Sequence, residues 1–129
     1  MPGVRESIAQ LQAAKLRLGV VTGARGYAID ATLRSHELAL HFETVVSADD
    51  VVYSKPAPDC YLLALQRMGL QANETVAFED TEHGVAAAIA AGLACVAIPT
   101  EMSASHNFSA ATVTLPNMQD AVRWALAQA

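Results

Sequence analysis

The 129 residues carry a formal charge of −5, with 53% of them hydrophobic and only 16% charged. That balance excludes a disordered chain, and an acidic chain without a basic stripe has nothing to neutralise a nucleic-acid backbone, so nucleic acid is excluded as the expected partner. No apolar run reaches the roughly 18 residues of a membrane span, and MPGVRESIAQ has no signal-peptide core, so a single cytoplasmic domain with no membrane partner is expected.

In chain order, Val4, Ile8, Leu11 and Ala14 recur at helical spacing and predict an amphipathic helix over residues 3–15, starting near Pro2 or Gly3. Residues 16–21 read as a strand ending at Thr22-Gly23. Gly23 and Gly26 permit a tight turn into a helix over residues 27–40, with Ile29, Leu33 and Leu40 facing inward. A short strand over 42–47 leads through an irregular link to Lys55-Pro56-Ala57-Pro58, and a helix over 59–68 ends at Gly69. Residues 75–78 form the next strand, 82–91 an Ala-rich helix whose small side chains allow close approach to a sheet, and 94–98 a further strand. A polar loop over 100–111, a short edge strand over 112–115 and a final helix over 117–127 complete the chain, the last with Met118, Val122 and Trp124 or Leu126 inward. Strands alternating with helix-length crossovers predict a parallel sheet covered on both faces.

The stretch VAFEDTEHG concentrates the chemistry, because its apolar strand stops at two adjacent carboxylates, Glu79 and Asp80. Ligands of open α/β sheets bind outside the carboxyl ends of strands. Adjacent carboxylates there repel, and a hard divalent cation relieves the repulsion. A helix cap by Asp80 or Thr81, with Glu79 solvated, is the competing reading. Thr22 and Lys55 fall at the ends or links of other strands. Cys60 and Cys95 lack metal-ligand spacing and read as structural thiols. His83 could face a ligand from the first turn of its helix, while His36, His41 and His106 suit solvated or capping roles; Tyr53, Tyr61 and Trp124 read as core or interface aromatics.

The ordered set VVTGA, SKPAPD and FEDTEHGVAAAIAAG resembles the haloacid dehalogenase-like hydrolase superfamily, in its branch of small phosphatases and β-phosphoglucomutase-like enzymes. The resemblance implies an α/β fold with a three-layer Rossmann-like parallel sheet. It also implies that Thr22, with Gly23, and Lys55 bind a phosphoryl group, that Asp80 and Glu79 hold Mg2+, and that a phosphorylated small molecule or inorganic phosphate is the ligand. Arg25 is a further candidate phosphate contact at a helix N-terminus.

The family's Asp-x-Asp nucleophile motif occurs nowhere in the chain, nor does the cap domain that precedes the Thr22 strand. Asp49-Asp50 is adjacent rather than spaced, which suits no nucleophile role. In the resembling fold the strand carrying that motif lies between those ending at Thr22 and Glu79. Its loss would orphan about ten ladder hydrogen bonds of order 1 kcal/mol each, so the flanking strands are expected to close up, to accept a segment of another chain, or to be part of a longer protein. The expectation is a core not competent alone. The alternative is an interaction module that pairs through its strand edges as a homodimer or with a complementing chain.

Overall fold

A computed structural model of the protein describes residues 3–128; the helix start considered at Pro2 lies outside them. Five helices, α1 (Val4–Ala13), α2 (Gly26–Ser35), α3 (Asp59–Met68), α4 (Glu82–Ala90) and α5 (Met118–Gln128), alternate with five strands. The strands are β1 (Gly19–Val21), β2 (Thr44–Val46), β3 (Val76–Glu79), β4 (Ala94–Ala97) and β5 (Val113–Thr114), and every pairing is parallel. The alternation of element types is the one the apolar periodicity predicts, and α3 has the predicted bounds.

Four helices stop by one device. The N–H groups of Leu16, Leu38, Leu70 and Leu93 donate to the carbonyls of Leu11, Leu33, Leu65 and Ala88, five residues back. The residue before each leucine is left-handed, at Lys15 (φ 63°), Glu37 (φ 57°), Gly69 (φ 67°) and Gly92 (φ 91°). This is a Schellman closure with an apolar residue just beyond it. At Glu37 it ends α2 five residues before the expected point, and Leu40 is not inward but 99% exposed.

The strands pack by their two-residue alternation. Ala77, Cys95 and Ala97 face a core that includes Cys60, Tyr61 and Ala64 of α3 and Val85, Ala87 and Ala88 of α4. Val76, Phe78, Val96 and Ile98 point the other way, onto Ala121, Met118 and Trp124 of α5. Helices therefore cover both faces, and α1 packs against α5. The small alanines of α4 let it lie close on β4, as the sequence leads one to expect.

The backbone ladder is not continuous. β1 pairs only with β2, while β3, β4 and β5 form a second ladder. Thr22 N–H donates to Val46 and Glu43 N–H to Leu18, so Gly19 and Val21 turn their backbone groups away from β2. Ile98 N–H donates to Glu79, which leaves Val76 and Phe78 turned away from β4. These two free edges flank a single cleft lined by Val21 and Phe78. Among the described residues the flanking strands do not close up and pair. Helix packing joins the two ladders instead: α3 packs on β1 and β2 and reaches α4, and α1 packs on α5.

Candidate functional site

Thr22, Gly23, Lys55, Glu79 and Asp80, read from three separate segments of sequence, line one cleft of about 520 Å3 at the carboxyl ends of β1 and β3. Ser54, Phe78, Thr81, His83 and Met118 complete much of its wall. The fold brings these residues together because parallel strands put their carboxyl ends on one side: Thr22-Gly23 follows β1, Glu79 ends β3 with Asp80 next, and the link after β2 carries Lys55.

Lys55 is the joint between the two ladders. Its ammonium donates to the Val21 carbonyl at 3.1 Å and to Glu79 Oε2 at 2.5 Å. Both partners are largely buried, with 14% of the Lys55 side chain and 7% of the Glu79 side chain exposed. The Lys55-Pro56 peptide is cis. Glu79 is not solvated: strand alternation turns it under α4, where Gly84 leaves room for the carboxylate, since any Cβ there would overlap it. The Tyr61 hydroxyl, from α3, donates to the same Oε2 atom.

Asp80 is half-buried, and its carboxylate takes no hydrogen bond among the described residues. It does not cap α4. That role belongs to Thr81, whose Oγ1 accepts from Gly84 N–H at 3.1 Å. Thr22 Oγ1 accepts from Ala24 N–H at 3.1 Å, which leaves its hydroxyl proton free to donate. His83 is exposed on the first turn of α4, at the cleft wall. His106 acts as a cap, its Nδ1 accepting from Glu82 N–H at the start of that helix.

Arg25 lies outside the lining of this cleft. Its guanidinium pairs with Asp49 at 2.8 Å, and the other Asp49 oxygen accepts from Gly26 N–H at 2.8 Å, capping α2 from a distant segment. The Arg25 hydrogen bond holds the Asp49 carboxyl below the usual carboxylate range. Asp50 is held low first by the Ser47 N–H, in a capping box that closes the 3-10 turn Ala48–Asp50. The adjacent acids are thus consumed by local structure.

Two carboxylates face one ammonium in the cleft, so its fixed charge is net negative. The donor set fits Mg2+: Asp80 and Glu79 Oε1, which accepts no hydrogen bond among the described residues, are hard oxygens, and Mg2+ is commonly held by one or two carboxylates with water completing its shell. Glu79 Oε2 is already committed to Lys55 and Tyr61. Tyr61 is the site residue that the sequence reading missed. Its signal is a tyrosine six residues beyond Lys55, on the buried face of α3, where a hydroxyl needs a partner.

The model of the haloacid dehalogenase-like hydrolase family matches residues 1–98. Protein CbbY of Rhodobacter capsulatus is 39% identical over 129 residues, covering 98% of this chain and 57% of its own length. The fructose-1-phosphate phosphatase YqaB of Escherichia coli is 44% identical over 79 residues, 61% of this chain and 42% of that one. The crystal structure of CbbY from Rhodobacter sphaeroides in complex with phosphate superposes with a TM-score of 0.85 at 32% identity, over 91% of this chain and 53% of the other. A structure of a point mutant of that CbbY in complex with xylulose-(1,5)bisphosphate matches with the same TM-score of 0.85. The chain spans about half the length of the curated relatives it matches.

Proposed function

Because the chain belongs to the haloacid dehalogenase-like hydrolase family, we propose that it supplies the phosphoryl-binding and Mg2+-binding portion of a phosphatase-like or phosphoglucomutase-like site. The observation that carries this reading is Lys55, fixed between the end of β1 and the end of β3 and opening on the same cleft as Thr22 and Asp80. Its relatives' ligands support a phosphorylated small molecule or inorganic phosphate as the occupant. The Thr22 hydroxyl donates to a phosphoryl oxygen, and Lys55 offsets the charge that Glu79 and Asp80 would otherwise present to it. Mg2+, when bound through Asp80 and Glu79, adds charge neutralisation and orientation, which are most of what phosphoryl transfer asks of a protein.

No Asp-x-Asp motif is present to supply a nucleophile, so the 129-residue chain by itself binds phosphate weakly and does not turn over phosphomonoesters. The test is phosphate binding by calorimetry with and without Mg2+, alongside an assay with p-nitrophenyl phosphate. Metal-dependent phosphate binding that is lost in Asp80→Ala, with no turnover, is expected. A metal-dependent rate that vanishes in Asp80→Ala would overturn the claim of incompetence, and absence of any phosphate binding would overturn the site.

The free edges of β1 and β3 favour a second reading, in which the cleft accepts an extended segment from a second copy or a complementing chain. Sedimentation at micromolar concentration separates the possibilities, because a strict monomer excludes self-complementation.

A further inference from the structure

We propose that Tyr61 is a positioning residue of the cleft, dividing the two oxygens of Glu79 between separate tasks and fixing the direction of the Lys55 ammonium. The Tyr61 hydroxyl and Lys55 Nζ both donate to Glu79 Oε2. With Oε2 held from two sides, Oε1 is the oxygen without a hydrogen-bond partner among the described residues, and it lies against Gly84, where any Cβ would overlap it. An ammonium has three N–H donors. Those of Lys55 to Val21 O and Glu79 Oε2 fix two directions, and tetrahedral geometry then fixes the third. The Tyr61 ring adds a further restraint, with Lys55 Nζ lying 5.4 Å from its centroid.

One short segment builds this arrangement. Lys55 precedes the proline link, α3 starts at Asp59, and Tyr61 follows within its first turn, 6% exposed. A tyrosine needed only for packing would satisfy its hydroxyl on any acceptor; here the acceptor is the atom that orients the lysine. The proposal deepens the phosphoryl-site reading, and only the ligand arm of its test rests on that reading.

The chain has two lysines, Lys15 and Lys55, so the 15N-ammonium spectrum of the lysine-labelled 129-residue protein is simple to assign. Lys15 is exposed, and its protons exchange fast with water. The unliganded wild-type protein is expected to show a protected Lys55 Nζ signal that broadens away or shifts in Tyr61→Phe while the backbone amide spectrum stays folded. Gly84→Ala, which displaces Glu79 from the opposite side, is expected to produce the same loss. Adding Tyr61→Phe to Glu79→Gln should then change nothing further, because the tyrosine acts through that carboxylate.

A Lys55 signal identical in wild type and Tyr61→Phe overturns the proposal. So does a wild-type protein with no protected Lys55 signal, or a Tyr61→Phe effect that persists in full on the Glu79→Gln background. Titration with inorganic phosphate in Mg2+ forms the second arm, with Tyr61→Phe expected to weaken binding by about three- to tenfold. If the wild type binds no phosphate, the phosphoryl-site reading fails, and the ammonium spectra still decide the role of Tyr61.

Discussion

Glu79 shows how far the identity of a residue can be read from a sequence and where its orientation cannot. The acidic pair, its place at a strand end and its shared cleft with Thr22 and Lys55 were all legible, because parallel strands gather their carboxyl ends. Which way each carboxylate turns depends on strand phase and on what lies beneath: Ala77 and Glu79 face α3 and α4, and Gly84 makes the room. Gly84→Ala is therefore expected to destabilise the protein by about 1–3 kcal/mol, as overpacking does, measured by urea unfolding. Wild-type stability in that variant would show that Glu79 moves without cost. Asp50 gives a pH test. Its folded-state pKa lies below the usual 3.8, chiefly through the Ser47 N–H. Its contribution is therefore present above that ordinary value and is lost as pH falls through the folded one. The Asp50→Asn protein should be less stable than wild type near neutrality and lose less on acidification, the gap closing in acid. Parallel thermal-unfolding curves across the acid range would refute this.

At the level of elements, the reading ended α1 at Lys15 and α3 and α4 at their glycines but ran α2 on to residue 40. Gly69 and Gly92 announce the ends of α3 and α4, whereas α2 ends at a left-handed Glu37 that no local signal distinguishes. A left-handed residue with a Cβ costs about 1–2 kcal/mol relative to its ordinary conformation. Glu37→Gly, at an exposed position, is accordingly expected to stabilise the protein by about 0.5–1 kcal/mol after the glycine's added unfolded-state entropy is subtracted. A fall in thermal midpoint would contradict the assignment of strain. The polar loop over residues 100–111 is also more ordered than its composition suggests. His106 and Asn107 exchange hydrogen bonds with Glu82, and Thr100 and Ser103 close a capping box.

Over the whole molecule, three buried groups link stability to alkaline pH. Burial pushes the Tyr61 hydroxyl and the Cys60 and Cys95 thiols upward, with the Glu79 charge adding most to Tyr61, and Cys95 is raised to about 12. Each folded-state value exceeds its unfolded one. Their contribution is thus complete below the ordinary thiol value of 9.0 and is lost as pH climbs toward the folded values. Urea-unfolding free energy should be steady from neutrality to about pH 8.5 and decline beyond it, where exposed thiols ionise. Over the neutral range, both thiols should resist a disulfide reagent until the chain unfolds. Rapid labelling of the native protein, or a flat alkaline limb, would count against this burial. The parallel order of the strands was legible from sequence; the separation of the two ladders was not, since it depends on which helices bridge them.

That separation governs cooperativity. A continuous sheet opens as one unit because losing one strand leaves its neighbours unpaired, but among the described residues no backbone hydrogen bond transmits the loss of β1 to β3. The halves communicate through the α3–α4 and α1–α5 packing, the Lys55–Glu79 pair and a core in which Val46 and Val21 join Ala77, Cys95 and Ala97. The molecule is thus expected to open as two foldons that share this core. Amide hydrogens of β2 will exchange through a partial opening that costs less than the opening needed to expose β4, which is flanked on both sides. Whatever tightens that junction, whether a strand or a ligand on Lys55, will merge the two exchange regimes into one.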